Sequence, residues 1–196
     1  MSTTLNDAGW DLLFRNARTH NGWQDRPIPE ETLHTLYDLL KWAPTSFNCQ
    51  PARFVFVTSK EAKERLKKHL IPSNAEKTMK ASACVIVAYD TKWYEHLPTN
   101  FPAYDAKPMF ENNAELADIT AKRNGSLQGG YLIMAARSLG LDCGPMSGYN
   151  PASLDADFFP DGRVKSNFLC NIGYGTDENL YPRGPRFAFD EACEIL

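Results

Sequence analysis

Cys84-Val85-Ile86-Val87-Ala88-Tyr89 is an unbroken apolar run with β-branched residues at its centre. Side chains along a strand point alternately to opposite faces, so a run with no polar alternation predicts a strand covered on both sides. Upstream, Pro72 to Lys80 predicts a short helix. Thr58 and Glu61 predict a capping box for a helix reaching about Leu70. Phe54 to Val57 reads as a second buried strand, preceded by a loop from Ala43 to Ala52. Before that loop, Pro29, Glu30 and Glu31 suit a first helical turn, with Pro29 at N1 and Leu33, Leu36, Tyr37 and Leu40 forming one apolar face.

Downstream of the central run, Lys92 to Phe110 carries Trp93, Tyr94, Phe101, Tyr104 and Phe110 among three prolines. This reads as an irregular aromatic excursion that could serve as a lid. Asn113 to Leu139 is the longest helical pattern, with Leu116, Ile119, Leu127, Tyr131 and Met134 on overlapping faces, small residues at Gly125, Ser126, Gly129, Gly130, Ala135 and Ala136, and Gly140 to end it. A strand near Leu141 to Cys143, a helix opened by Asn150 and Pro151, and a strand from Phe168 to Ile172 follow.

Helices and strands interleave without a continuous βαβ series, which favours α+β over a doubly wound sheet. Gly173-Tyr174-Gly175 follows a strand but lacks the third glycine and the helix of a dinucleotide fingerprint, and no phosphate-binding G-x-x-x-x-G-K-[ST] loop exists. Residues 1–196 are therefore expected to form one domain. The formal net charge of −3, from 21 basic and 24 acidic residues, gives no general attraction to nucleic acid or an anionic membrane. Met1 to Leu13 has neither the basic nor the apolar region of a leader, so a soluble, cytoplasmic protein is expected. Five scattered cysteines without C-x-x-C spacing imply reduced thiols, and the four histidines show no metal-ligand spacing, so no metal is expected.

Several segments carry chemistry. Arg18-Thr19-His20-Asn21-Gly22-Trp23 joins a permanent cation to a hydroxyl, a pairing suited to phosphate, though Arg and Thr also serve as surface and capping groups. Pro44, Thr45, Ser46, Asn48 and Gln50 offer polar groups on a loop stiffened by Pro44 and Pro51, leading directly into a strand. Asn74 and Lys77 share a helical face. Gly144-Pro145-Met146-Ser147-Gly148-Tyr149 reads as a sharp turn after a strand; its glycines do not fit a G-x-S-x-G hydrolase elbow. Arg183 and Arg186 lie in the tail. Cys49, beside Asn48 and Gln50, raises the alternative of a thiol redox enzyme, but it lacks a nearby resolving cysteine.

In this order the segments resemble the flavin-contacting segments of the nitroreductase family. Arg18 to Trp23, Trp42 to Arg53 and Pro145 to Tyr149 further resemble the branch that includes malonic semialdehyde reductase of pyrimidine breakdown. The resemblance implies a central mixed, largely antiparallel sheet flanked by helices in an intertwined homodimer. It implies bound FMN and NADH or NADPH as co-substrate. Arg18, Thr19, Arg183 and Arg186 would hold the phosphate, and Asn21 the flavin or ribityl chain. Asn74 and Lys77 would meet the pyrimidine edge. Backbone of Pro145, Met146, Ser147 and Gly148 would meet flavin N5 and O4, and the loop at Pro44, Thr45, Ser46, Asn48 and Gln50 would reach a flavin held mainly by the other subunit. Asn21 replaces a basic residue common in relatives, and Ser147 a common glutamate. The implied acceptor is malonic semialdehyde, reduced to 3-hydroxypropionate; a broad nitro-compound or quinone reductase and a non-catalytic flavin-binding module are the alternatives. Water, His20 or Tyr149 are the candidates for supplying a proton to an aldehyde, and Arg53, Lys107 and Arg123 for meeting a carboxylate.

Overall fold

The computed structural model describes residues 4–196; Met1 to Thr3, part of the segment read above for a leader, lie outside the described residues. In chain order the elements are α1 (Asp7–Trp10), continued by a π-helical turn (Asp11–Arg15), β1 (Gly22–Trp23), α2 (Glu30–Leu40), β2 (Ala52–Val57), α3 (Lys60–Lys67), α4 (Pro72–Lys80) and β3 (Ala83–Asp90). They continue with α5 (Leu97–Asn100), α6 (Lys107–Glu111), α7 (Ala114–Ser138), β4 (Asp142–Met146), α8 (Pro151–Phe158), β5 (Val164–Gly173), β6 (Gly175–Thr176) and α9 (Phe189–Ala192).

The main sheet has the order β2-β3-β5-β4, and every ladder in it is antiparallel. A small β1-β6 pair is antiparallel as well, and the one parallel pairing among the described residues is the isolated bridge between Thr19 and Cys143. The α+β class is as the sequence predicts. β3 is central and wholly buried. Its Ala83, Val85 and Val87 enter a core with Leu36 and Leu40 of α2 and Leu132 of α7, while Cys84, Ile86 and Ala88 enter a second core with Leu66 of α3 and Leu154 of α8. Helices thus cover both faces, which explains the unbroken apolar run.

Several local expectations change. Pro29 is the N-cap of α2, one residue before N1, and Tyr37 is 49% exposed rather than on the buried face. The cap of α3 is Ser59, whose hydroxyl accepts from the Ala62 N–H at 3.1 Å, so Thr58 forms no capping box and the helix ends at Lys67. β4 runs through Pro145 to Met146, so the turn predicted from Gly144 begins only at Ser147; as an edge strand, β4 tolerates a proline. The aromatic excursion is no loose lid. Trp93 and Phe110 are buried with centroids 4.5 Å apart, the Trp93 indole N–H donates to Ala117 O, and Leu97, Ala106 and Ala121 complete a third core.

Asp90, at the end of β3, ties this region down. Its buried carboxylate accepts from Arg53 of β2 at 2.8 Å and from Arg163, just before β5, at 3.0 Å through both oxygens. Burial alone would raise its pKa, but the Arg163 and Arg53 guanidinium groups and the Lys92 N–H hold it below the ordinary carboxylate value.

α7 buries its small residues and leaves most of its large apolar ones outside. It turns Ala117 and Ala121 to the aromatic core and Gly125, Gly129, Leu132 and Ala136 to the sheet, whereas Leu116, Ile119, Leu127 and Tyr131 are exposed. A Cβ on Gly129 would lie 2.5 Å from the Phe168 ring, so the close approach of helix and sheet depends on its absence.

Candidate functional site

The segment after the π-helical turn is held to the sheet edge by the His20 N–H donating to Cys143 O at 3.1 Å. This places Arg18, Thr19 and Asn21 beside the tail that follows β6. The Arg18 guanidinium donates to Tyr181 O, the Asn21 amide to Asn179 O at 3.2 Å, and Arg183 to the carbonyls of Arg15 and Ala17 at 2.6 and 3.0 Å. Between these strands of chain lies a cavity of about 370 Å³ lined by Arg18, Thr19, Asn21, Arg183, Arg186 and, from the last turn of α7, Arg137.

No carboxylate lines this cavity, and four arginines do. Arg137 donates through Nη1 to Leu13 O at 3.1 Å, but its buried Nε has no partner. A buried unpaired donor is uncommon and calls for an explanation. Sequence reading missed Arg137, because a basic residue near a helix C-terminus is expected from the macrodipole alone. Its spacing of five residues behind Leu132, the deepest large residue of the helix, carries no distinguishing signal.

A second cavity of about 240 Å³ shares Asn21 and Tyr181 with the first and is lined by Asn74 and Lys77 of α4. Lys77 Nζ donates to Asn21 Oδ1 at 3.3 Å, and burial lowers its pKa. Asn74 is buried and donates through Nδ2 to Gly148 O at 2.9 Å, while the Ile71 N–H donates to the same oxygen at 3.2 Å. A Cβ at position 148 would lie 2.4 Å from Ile71 Cδ1 and 2.6 Å from Asn74 Nδ2, so a larger residue there would push the Asn74 amide out of its present place. Around it, Pro145 and Ser147 are exposed, whereas the Met146 side chain points inward, its sulfur 3.8 Å from the Thr78 hydroxyl.

The structure therefore gathers Arg18, Thr19, Asn21, Asn74, Lys77, Arg183 and Arg186 around two adjoining cavities, with Gly148 bonded to Asn74, whereas Pro145, Met146 and Ser147 line neither cavity. The loop with Pro44, Thr45, Ser46, Asn48 and Gln50 is elsewhere: it packs on α7 and on the aromatic core, with the Ser46 N–H donating to Asn124 Oδ1 at 2.8 Å and Asn48 Nδ2 to Asn100 O at 2.9 Å. Within one chain it does not line either arginine or lysine cavity.

Other sequence candidates are engaged otherwise. His20 has Nδ1 3.1 Å from Thr176 O and Nε2 3.3 Å from Asp142. Tyr149 lies in the second core, where burial raises its pKa. Arg53 is paired with Asp90 and Lys107 with Glu111 at 3.3 Å. Cys49 is 1% exposed and its thiol is pushed up to about 11 by burial, which removes the basis for a thiol mechanism. No group of His, Cys, Asp and Glu able to hold a metal occurs among the described residues, and no helix there is long and apolar enough to cross a membrane.

The chain is 59% identical, over all of both sequences, to a Rhodopseudomonas palustris protein named "Putative NADH dehydrogenase/NAD(P)H nitroreductase". The fold matches the crystal structure of "putative nitroreductase ydfN" from Bacillus subtilis with a TM-score of 0.86 at 24% identity, covering 97% of this chain and 100% of that one. It also matches a "putative nitroreductase" from Exiguobacterium sibiricum, solved in complex with FMN, with a TM-score of 0.85 at 22% identity and full coverage of both chains. The Nitroreductase family model matches residues 15–174, from the end of the π-helical turn to the end of the main sheet. With a full-length relative at 59% identity and the family profile over most of its length, the chain belongs to the nitroreductase family.

Proposed function

We propose that the protein is an FMN-dependent NAD(P)H oxidoreductase that works as a homodimer and reduces a small organic acceptor. The observation that carries this reading is the cavity lined by four arginines and no carboxylate, with one buried guanidinium nitrogen unpaired. That donor set fits a dianionic phosphate, since guanidinium groups donate in pairs and stay charged. Arg18, Thr19, Arg137, Arg183 and Arg186 would hold the phosphate, Asn21 the chain leading from it, and Asn74, Lys77 and the backbone of Pro145 to Gly148 the ring system.

When bound, FMN supplies a carrier that accepts a hydride from the nicotinamide and passes it to the acceptor. The chain's own contribution is placement and charge. Lys77 would set an ammonium beside the pyrimidine edge and offset negative charge there, and an anionic neighbour would reverse the lowering of its pKa by burial. Asn74 is fixed by Gly148 and so presents its amide in one orientation.

The second copy is supported by the apolar face of α7. Leu116, Ile119, Leu127 and Tyr131, together with Tyr37 and Leu39 of α2, form apolar surface with nothing over it in one chain. The loop at Pro44 to Gln50 would reach the cofactor of that second copy.

The resemblance of Arg18 to Trp23 and Pro145 to Tyr149 to the malonic semialdehyde reductase branch supports that aldehyde as acceptor. The name of the Rhodopseudomonas palustris relative favours a nitro compound instead. Purified protein should be yellow and should bleach anaerobically with NADH or NADPH. Reoxidation by malonic semialdehyde, a quinone or a nitroaromatic then ranks the acceptors. A colourless protein that takes up no added FMN overturns the reading, and a bound flavin that neither nucleotide bleaches leaves only a flavin-binding module.

A further inference from the structure

The loop between α2 and β2 holds three non-glycine residues in the left-handed region: Phe47 at φ 54°, Asn48 at φ 47° and Gln50 at φ 41°. L residues are disfavoured there, and such a cluster persists only where its surroundings over-determine it. One side of those surroundings is polar. Asn124 and Gln128, 2% and 4% exposed, stand one turn apart on the sheet-facing side of α7. Asn124 Oδ1 accepts from the Ser46 N–H at 2.8 Å, and Gln128 Oε1 accepts from the Ala52 N–H at 2.9 Å. Asn124 Nδ2 donates to Thr120 O at 2.8 Å, which turns the amide so that its oxygen faces the loop. From the other side Phe47 meets Phe101, Tyr104 and Phe110 edge-on, with centroids 5.3 to 6.2 Å away.

Packing alone does not call for two buried amides on a helix face otherwise made largely of alanine and glycine, because each must be fully hydrogen-bonded to be tolerated. Both amides spend their oxygens on backbone N–H groups at the two ends of the loop. We propose that Asn124 and Gln128 are positioning residues that hold Pro44 to Gln50 in its strained shape, so that Thr45, Ser46, Asn48 and Gln50 meet the cofactor of a second copy. They act through the loop and do not themselves touch the cofactor. The inference rests on the FMN-dimer reading above.

The test uses the intact flavin-loaded protein. Gln128→Met and Asn124→Leu remove the acceptor at nearly constant volume, Gln128→Glu keeps it, and Leu132→Ala, one turn further along α7, weakens the core without touching the loop. The readouts are the visible absorption band of the bound flavin, its dissociation constant and the rate of bleaching by NAD(P)H, at a temperature where every variant is folded. In Gln128→Met and Asn124→Leu the band should shift, with affinity and bleaching rate each falling roughly tenfold or more, as misplacement of a positioning group does. Gln128→Glu should restore all three, and Leu132→Ala should leave the band in place. Wild-type behaviour in both acceptor-less variants, or the same band shift in Leu132→Ala, overturns the proposal. If Gln128→Met and Asn124→Leu do not fold, Asn124→Ser, which shortens the acceptor, decides by the same criteria. A wild-type protein that binds no FMN fails the functional reading itself, whereas a flavoprotein with unaltered variants fails only the positioning role.

Discussion

The two sides of α7 invert the usual relation between side-chain size and depth. The inner side is thin, built from alanine, glycine and two amides with Leu132 as its one large anchor, and the side facing away carries Leu116, Ile119, Leu127 and Tyr131. Thinness is what the inner side needs, because Gly129 lets the helix come down onto Phe168 and Val87. Apolar area is what the outer side holds in reserve. A helix of this kind is specified for cover on both sides, and one chain supplies cover for only one.

The strongest way to break the comparison is on the inner side. Leu132→Ala leaves a hole in the largest core and should cost about 2–5 kcal/mol in chemical denaturation. On the outer side, Leu127→Asp with Tyr131→Asp should leave the secondary structure by circular dichroism unchanged. It should weaken self-association by about 2 kcal/mol or more in analytical sedimentation, the loss expected of interface anchors. Equal loss of helical signal in both variants would mean that the two sides do the same job. At the C-terminal end of the same helix, Arg137→Met should reduce FMN affinity by about 1.5–3 kcal/mol in titration calorimetry, the range for a hydrogen bond to a charged group. Smallest of all, Cys49→Ser should change turnover less than about twofold, because a thiol buried in the packed aromatic layer has no part in hydride transfer.

The central strand and both its neighbours were legible in the sequence because an unbroken β-branched run has few other readings. Caps shifted by one residue, as at Pro29 and Ser59, since neighbouring residues compete for the same role. The orientation of α7 was not legible: its periodicity shows an apolar stripe, and only tertiary packing says which side the sheet takes. The cavity residues were readable through resemblance rather than spacing, as Arg18, Lys77 and Arg186 are nearly 170 residues apart at their extremes (18 to 186) and meet only through the β1-β6 pair and the tail. Arg137 stayed hidden for the same reason. Asn124 and Gln128 sit mid-helix, where amides usually face water, and only their burial marks them.

Asp90 gives the molecule an order of failure. It joins β2, β3 and the stretch before β5, and the Lys92 N–H that opens the aromatic layer donates to it at 2.8 Å. Because its pKa is lowered in the folded state, its contribution is present in full above the ordinary carboxylate range and is lost as pH falls through the lowered value. Acid should therefore loosen residues 91–113 while the sheet is still closed. Hydrogen exchange below the ordinary carboxylate range would then show two cooperative units, the aromatic layer opening first and the strands later.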